Sequence, residues 1–487
     1  MKIAFIEPSP KTNLYFFLGN MPLLGNLYLG TMLQQKGHEV KVFKETNTRM
    51  YNKKTGELHP YLKEADVVGL TSVTHTINRA YDIADAVKTQ YPDKKVLFGG
   101  SHVSACPEEA LQHCDSVVVG EAENVIFDVV EGSPDRIVQG TRTDINSVPP
   151  IDMSLMQDVK RNYRNRYRDI APIMASRGCP HNCIFCSVTK MFGRKYRIKD
   201  ADLVMEEVRM RYNEGYRFAF FYDDNFAANP KKTKIFLEKL IREDIDFHWS
   251  SQFSIHVARD PELLELLKRS KCRRLFVGVE SVNPEALKDY HKDQTVEMIE
   301  ENIRKIKEAG LMIHSMFIFG ADSDTEESMK QTMEFAKTSK SDSAQFSVLY
   351  PIPGTELYDN MKEENRLHVE DWTYYDGSHS VIIPKNVTPL QLQKLSIKAY
   401  RSFYKEPLAW LATHLGFFVW KILSRKYMKH LRRVSRQMKR ENITLRRLQK
   451  FWEFSNLKWL RQLSETFGFK DWDRKLEMFM QQNKDPA

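Results

Sequence analysis

Twice along this chain, short apolar runs alternate with amphipathic stretches. That alternation limits the fold more than any other feature. In the first series, residues 3–6, 38–43, 67–70, 95–98 and 117–119 read as strands, with helices at 23–36, 76–91 and 108–113. Strands joined by helical crossovers give a parallel sheet covered on both faces. The expected fold class is therefore α/β, beginning with a doubly wound, Rossmann-like domain over residues 1–140. Ligands of such sheets lie beyond the carboxyl ends of the strands. Those ends lead into residues 7–19, 71–75, 99–104 and 120–123.

Pro149-Pro150 marks a linker, placed at 141–165. A second series follows over 166–360. Its strands read at 172–175, 217–222, 248–253, 274–279, 312–319 and 343–349. Helices read at 203–212, 231–243, 261–268, 296–310 and 326–338. Six repeats suit a partial or full (β/α)6 barrel, whose site lies at the carboxyl ends of the strands. Asp223-Asp224, Glu280-Ser281 and Gly320 fall there. After Pro384 the strand signals stop, and residues 361–487 read as a helical, basic region.

The chemistry starts at Ser176-Arg177-Gly178-Cys179-Pro180-His181-Asn182-Cys183-Ile184-Phe185-Cys186. The spacing is C-x3-C-x2-C. Three thiolates this close can hold three corners of an iron–sulfur cube and leave the fourth iron open. An open iron binds and reduces a small molecule, whereas a fully ligated cluster mainly passes electrons. The alternative is a zinc knuckle with His181 as fourth ligand. Structural zinc sites pair two short hooks across a longer span, and no second hook is visible. Cys106, Cys114 and Cys272 are scattered and read as buried thiols.

With 42% apolar residues, wholesale disorder is excluded. Six cysteines in 487 residues are too few for a secreted disulfide framework. Residues 1–6 run straight into an apolar strand, without the charged stretch and cleavage site of a signal peptide. A reducing cytoplasm is expected. The net charge of +9 is uneven. Residues 401–450 hold 14 Lys/Arg against 2 Asp/Glu, so the rest of the chain is weakly acidic.

At these residues the chain resembles the radical SAM superfamily. The cysteine loop has that family's spacing, and Phe185 fills its usual aromatic position. Phe221-Tyr222-Asp223-Asp224-Asn225-Phe226 resembles the second-strand motif that helps hold the amino group of S-adenosylmethionine. Gly278-Val279-Glu280-Ser281 resembles the G-x-E-S segment beside the methionyl or ribose part. Phe317-Ile318-Phe319-Gly320-Ala321-Asp322 and Pro351-Ile352-Pro353-Gly354-Thr355 resemble later landmarks. The resemblance implies Cys179, Cys183 and Cys186 as ligands of a four-iron four-sulfur cluster. It implies Phe185, Asp223, Asp224, Glu280, Ser281 and Gly320 around S-adenosylmethionine. The bland readings are a turn or N-cap for the aspartates and close packing for Gly278 and Gly320. An unpaired Glu280 on an apolar strand end would be costly, which favours a ligand role.

The first series carries a second resemblance. Met21-Pro22-Leu23-Leu24-Gly25-Asn26-Leu27-Tyr28-Leu29, Lys36-Gly37-His38-Glu39-Val40, Gly99-Gly100-Ser101-His102-Val103-Ser104 and Gly120-Glu121-Ala122-Glu123 look like the cobalamin-binding domain of cobalamin-dependent radical SAM enzymes. This implies cobalamin held near Thr71, Ser72, Gly99, Gly100, Ser101, His102, Gly120 and Glu121. The D-x-H-x-x-G motif that sets a histidine under cobalt is absent. His75 and His102 are candidates by position, each with a structural histidine as the plainer reading. Methylthiotransferases differ, carrying three further cysteines in this domain, where the chain has Cys106 and Cys114.

In the tail, the apolar run 407–420 is shorter than the ~20 residues a span needs. Residues 425–450 mix apolar side chains with a cationic face. Such a segment suits an anionic membrane surface or a helical cap on the barrel. A nucleic-acid role is not expected, since no recognised module is present.

Together the resemblances imply cleavage of S-adenosylmethionine to a 5′-deoxyadenosyl radical. Functionalisation of an unactivated carbon follows, with methyl transfer from methylcobalamin first among the outcomes. Ring formation or oxidation on a lipid or tetrapyrrole is the alternative, and a non-catalytic cobalamin or redox sensor a further one. The implied partners are a flavodoxin- or ferredoxin-type electron donor and a small-molecule substrate. A lipid substrate would fit membrane contact through residues 407–450 at the inner face.

Overall fold

The computed structural model describes residues 1–10, 21–159, 170–405 and Trp459. Part of the loop at 7–19, part of the 141–165 linker and the tail segment 407–450 lie outside the described residues.

Two parallel six-stranded sheets organise these residues. The first contains β1 (Lys2–Glu7), β2 (Glu39–Lys44), β3 (Val67–Thr71), β4 (Lys95–Gly99), β5 (Ser116–Val119) and β6 (Ile137–Gln139). Its order is β2-β1-β3-β4-β5-β6. The chain leaves β1 for one side and returns to the other, so a switch point lies between β1 and β3. Alternate residues bury on opposite faces. Ala4, Ile6, Val68 and Leu70 join one apolar cluster, while Ile3, Phe5, Val67 and Leu97 join another. Burial on both faces is why these strands read as continuous apolar runs.

The second sheet contains β7 (Ile170–Ile173), β8 (Phe218–Phe221), β9 (His248–Phe253), β10 (Cys272–Glu280), β11 (Met312–Phe319) and β12 (Ser343–Val348). They pair in sequence order, each parallel to the last. β7 and β12 are edges that do not pair with one another. Of the partial or full barrel expected, this is the partial one. Several helices that follow the strands start on side-chain caps. Asn229 accepts from Lys232 N, and Thr325 forms a capping box with Ser328. Leu237, Leu267, Ile303 and Met329 seat the helices on the sheet's outer face. Burying each such side chain contributes about 1.5–3 kcal/mol.

Several elements differ from the expectation. The first helix beyond β4 is Ser101–Ala105, and helix 108–113 shrinks to Pro107–Ala110. Strand β6, the small hairpin Tyr51–Asn52/Glu57–Leu58, and helices Ile126–Glu131 and Pro284–Asp289 were not anticipated. Each is too short to show a period of 3.6 or 2. The strand expected at 172–175 begins and ends two residues earlier.

Past the barrel, helix Pro389–Lys405 lies against β12 and helix Glu356–Glu363 precedes it. Trp459 is buried against Tyr374 and His379, at 4.4 Å and 5.4 Å between ring centroids. No described helix is long and apolar enough to cross a membrane.

Candidate active site

The turn between β7 and the following helices carries Cys179, Cys183 and Cys186 to the carboxyl edge of the second sheet. All three line one cavity of about 380 Å³. Its wall continues through Phe185, Asp224, Asn225, Gln252, Glu280 and Lys292. Gly178 has a positive φ of 85°, and a Cβ there would sit 3.0 Å from Lys195 O. Burial raises each thiol's pKa, that of Cys186 to about 12, so a bound metal must displace protons.

The C-x3-C-x2-C loop and the cavity beside it suit a cube of iron and sulfide. Among the described residues, His102, Cys106 and Glu109 bring metal-ligand atoms within 4.8 Å of one another. His181 lines the same cavity and lies beside His256, with 6.0 Å between ring centroids.

The aspartate pair divides. Asp223 is fully buried and accepts from Ala175 N (3.1 Å) and from the Ser176 hydroxyl. Burial lifts its carboxyl to about 7. Asp223 thus ties the end of β8 to the segment that leads from β7 into the cysteine loop. Asp224 points into the cavity, accepting from Gly178 N at 3.3 Å. Burial raises it to about 6, with Gly178 N and the Arg177 charge pulling back, so it stays mostly ionised at neutral pH.

Glu280 reaches the cavity through irregular backbone. The β10–β11 register shifts between Gly278 and Glu280, and Glu280 has φ 65°. A β-bulge re-aims a side chain, and a left-handed glutamate costs energy that the surroundings must offset. Gly278 leaves the space that the Glu280 carboxylate fills, since a Cβ there would collide with Oε1. Lys292 Nζ holds that carboxylate at 2.8 Å. Ser281 is buried in the turn and accepts from Asn283 N at 3.0 Å. Gly320 has φ 109°, donates to Asp324 at 3.0 Å and packs on Leu392. Phe185 lies edge-on to Tyr290, 5.4 Å between centroids.

At the carboxyl edge of the first sheet, a Cβ built on Gly25 or Gly99 would meet no other described residue within 4 Å beyond its local backbone neighbours. Gly100, at φ 105°, lets backbone pass where a Cβ would lie 2.5 Å from Ser72 O. This open glycine edge suits a large flat ligand. The Thr71 hydroxyl donates to Asn26, and Ser72 pairs with Thr76 at 3.0 Å. Ser101 opens its short helix. Gly120 N donates to Ser104 Oγ at 2.9 Å. His102 is buried, with Nδ1 3.3 Å from Thr74 Oγ1 and Nε2 3.5 Å from Glu109. Glu109 also accepts from Tyr81 and Trp372, each at 3.0 Å. His102 is therefore held in a structural network.

Glu121 faces across to the barrel. It pairs with Arg177 (2.9 Å) and Arg197, while Glu123 takes the other Arg177 nitrogen. Arg177 stands two residues before Cys179, so this buried cluster clamps the first domain to the cysteine loop. Neither the clamp nor Lys292 was legible in the sequence. Their partners are far apart in sequence, as with Glu121 and Arg177 (56 residues), and local spacing carries no trace of such pairs.

Comparison with known proteins agrees with this geometry. The radical SAM superfamily model matches residues 173–336 and the B12 binding domain model matches residues 16–130. The chain is 31% identical to the bacteriochlorophyllide d C-12(1)-methyltransferase of Chlorobaculum tepidum, over 83% of this chain and 87% of that protein. It is 29% identical to the hopanoid C-2 methylase of Rhodopseudomonas palustris, over 57% of this chain and 54% of that one. The radical S-adenosylmethionine methyltransferase TsrM from Kitasatospora setae, solved with tryptophan and a SAM analogue, shares the fold. Its TM-score is 0.63 at 18% identity, covering 74% of this chain and 76% of that one. The cofactors of this constellation are a four-iron four-sulfur cluster, S-adenosylmethionine and cobalamin. With its cysteine triplet at the carboxyl edge of a partial barrel and an open glycine edge on the sheet before it, the chain belongs to the radical SAM enzymes that carry a B12 binding domain.

Proposed function

We propose that this chain is a cobalamin-dependent C-methyltransferase acting on an unactivated carbon. The observation that carries the reading is one cavity lined by Cys179, Cys183, Cys186, Asp224 and Glu280. The chain holding it shares 31% identity, across most of its length, with a protein named as a bacteriochlorophyllide d methyltransferase. When bound, the reduced cluster, S-adenosylmethionine and cobalamin supply an adenosyl radical and a transferable methyl group.

In this reading the three cysteines hold the cluster, and Phe185 packs behind their loop. Asp224 and Glu280 accept from the amino and hydroxyl groups of S-adenosylmethionine, the charged hydrogen bonds being the stronger. Asp223, Ser281 and Gly320 set the backbone beneath them. Thr71, Ser72, Gly99, Gly100, Ser101 and Gly120 shape the floor under cobalamin, while His102 and Glu121 hold that floor in place. The domains divide near residues 140 and 166, and the cobalamin edge meets the barrel through Glu121. Electrons arrive from a flavodoxin- or ferredoxin-type donor in the cytoplasm.

The far wall of the cavity is mostly apolar, with Met316, Ile318, Leu349, Tyr350 and Ile352 around the hydrogen-bonded polar pair Gln345 and Ser347. Such a wall suits an apolar, carbon-rich substrate, a tetrapyrrole or polycyclic lipid. Cyclisation, oxidation and a purely sensing role have less support, because the relative with the fullest match described above transfers a methyl group.

The test supplies reduced, cobalamin-loaded protein with S-adenosylmethionine carrying a trideuterated methyl group, and tetrapyrrole or membrane-lipid extracts. A carbon-bound label in product and formation of 5′-deoxyadenosine are expected. Product formed without label would refute methyl transfer.

A further inference from the structure

The cavity around the cysteines is crowded with groups that carry negative charge: three thiolates when metal is bound, Asp224, Glu280 and Asp293. Among the described residues lining it, Lys292 is the sole lysine or arginine. Its position is built, not incidental. Helix Pro284–Asp289 ends in a turn where His291 takes φ 55° and Lys292 N donates to Leu287 O at 2.9 Å. That turn sends the side chain back under the cysteine loop. Nζ lies 2.8 Å from Glu280 Oε1 and 5.8 Å from the centre of the Phe185 ring. Cys183 and Cys186 line the same cavity as this ammonium, with Phe185 between them in sequence. The side chain is 21% exposed and Glu280 is 8% exposed, so water screens this charge weakly.

We propose that Lys292 is a positioning residue that joins the G-x-E-S glutamate to the cysteine loop and raises the reduction potential of the cluster held there. One-electron reduction adds negative charge to a site that is already anionic. A fixed ammonium in the wall of the same cavity stabilises the reduced state more than the oxidised one. Glu280 opposes this, and the pair sets the balance. The same ion pair holds the strained bulge, so one side chain serves both the geometry and the electron transfer. The inference rests on the cysteines being cluster ligands.

The test is a potentiometric titration of the anaerobically reconstituted full chain, followed by electron paramagnetic resonance without S-adenosylmethionine. Iron and sulfide are counted first in every sample. Lys292→Met is expected to titrate at a more negative potential than wild type, Lys292→Arg close to wild type, and Glu280→Gln at a more positive one. The double variant should fall between the two singles, since it removes one charge of each sign. Should Lys292→Met fail to assemble, the upward shift in Glu280→Gln reads the same electrostatics. Wild-type potentials in both single variants would overturn the proposal, as would a downward shift in Glu280→Gln. Wild-type protein that takes up no iron and sulfide would instead sink the cysteine assignment beneath it.

Discussion

At the scale of single residues, the two neighbouring aspartates make opposite predictions. Asp223 satisfies Ala175 N and Ser176 from a fully buried position. Asp223→Ala strands those donors and should cost about 1–3 kcal/mol of stability, seen as a lower melting temperature of the cluster-loaded protein. Asp224 lines the cavity. Asp224→Asn should leave the melting temperature unchanged and weaken S-adenosylmethionine binding by roughly 10- to 100-fold, the range of a charge-assisted hydrogen bond, measured by calorimetry. Equal effects of the two substitutions would show that the pair is not divided. Cys183→Ala should lose the brown chromophore or leave an incomplete cluster, and a full, reducible cluster in that variant would remove Cys183 from the ligand set. The cysteine triplet was legible because its spacing is local. That Asp224 rather than Asp223 faces the cavity was not, because the sequence does not say which way a residue beyond a strand end will turn.

At the scale of elements, strand β10 and the inter-domain clamp matter most. The bulge before Glu280 depends on Gly278, whose missing side chain the Glu280 carboxylate occupies. Gly278→Ala should keep the fold and the cluster but displace that carboxylate. S-adenosylmethionine cleavage should fall at least tenfold, measured as 5′-deoxyadenosine formed per minute. The clamp of Glu121 and Glu123 on Arg177 and Arg197 is nearly dry, with side-chain exposures of 4%, 7%, 7% and 11%. Removing one partner strands the others, so Glu121→Ala should destabilise the protein by about 3–5 kcal/mol. Faster protease cleavage between the two sheets would report it, and unchanged resistance would contradict the clamp. Strand positions were readable to within a residue or two wherever apolar runs were long, as at residues 248–253 and 312–319, where structure and sequence agree. Short elements such as Ser101–Ala105 and Ile137–Gln139 escaped, having too few residues to set a period. Glu121 looked like a ligand because it follows a Gly turn at a strand end. Only the fold shows the two arginines that claim it.

At the scale of the whole molecule, two parallel sheets present two carboxyl edges, one with glycines and one with cysteines, and a buried ion-pair cluster ties them together. This arrangement lets one chain hold a flat cofactor and a radical source in fixed relation. The overall class, the order of the two sheets and the location of both edges followed from alternation, glycine turns and the cysteine spacing. The tail gave less. Trp459 packs on Tyr374, while residues 407–450 lie outside the described residues. The central claim is that the three cysteines leave one iron free to cleave S-adenosylmethionine. The most direct measurement is metal and sulfide analysis of anaerobically purified protein, coupled to detection of 5′-deoxyadenosine after reduction. The account predicts iron and sulfide in equal amounts and S-adenosylmethionine cleavage that disappears in Cys183→Ala. Stoichiometric zinc in place of iron, or an iron–sulfur protein that never cleaves S-adenosylmethionine when reduced, would contradict it.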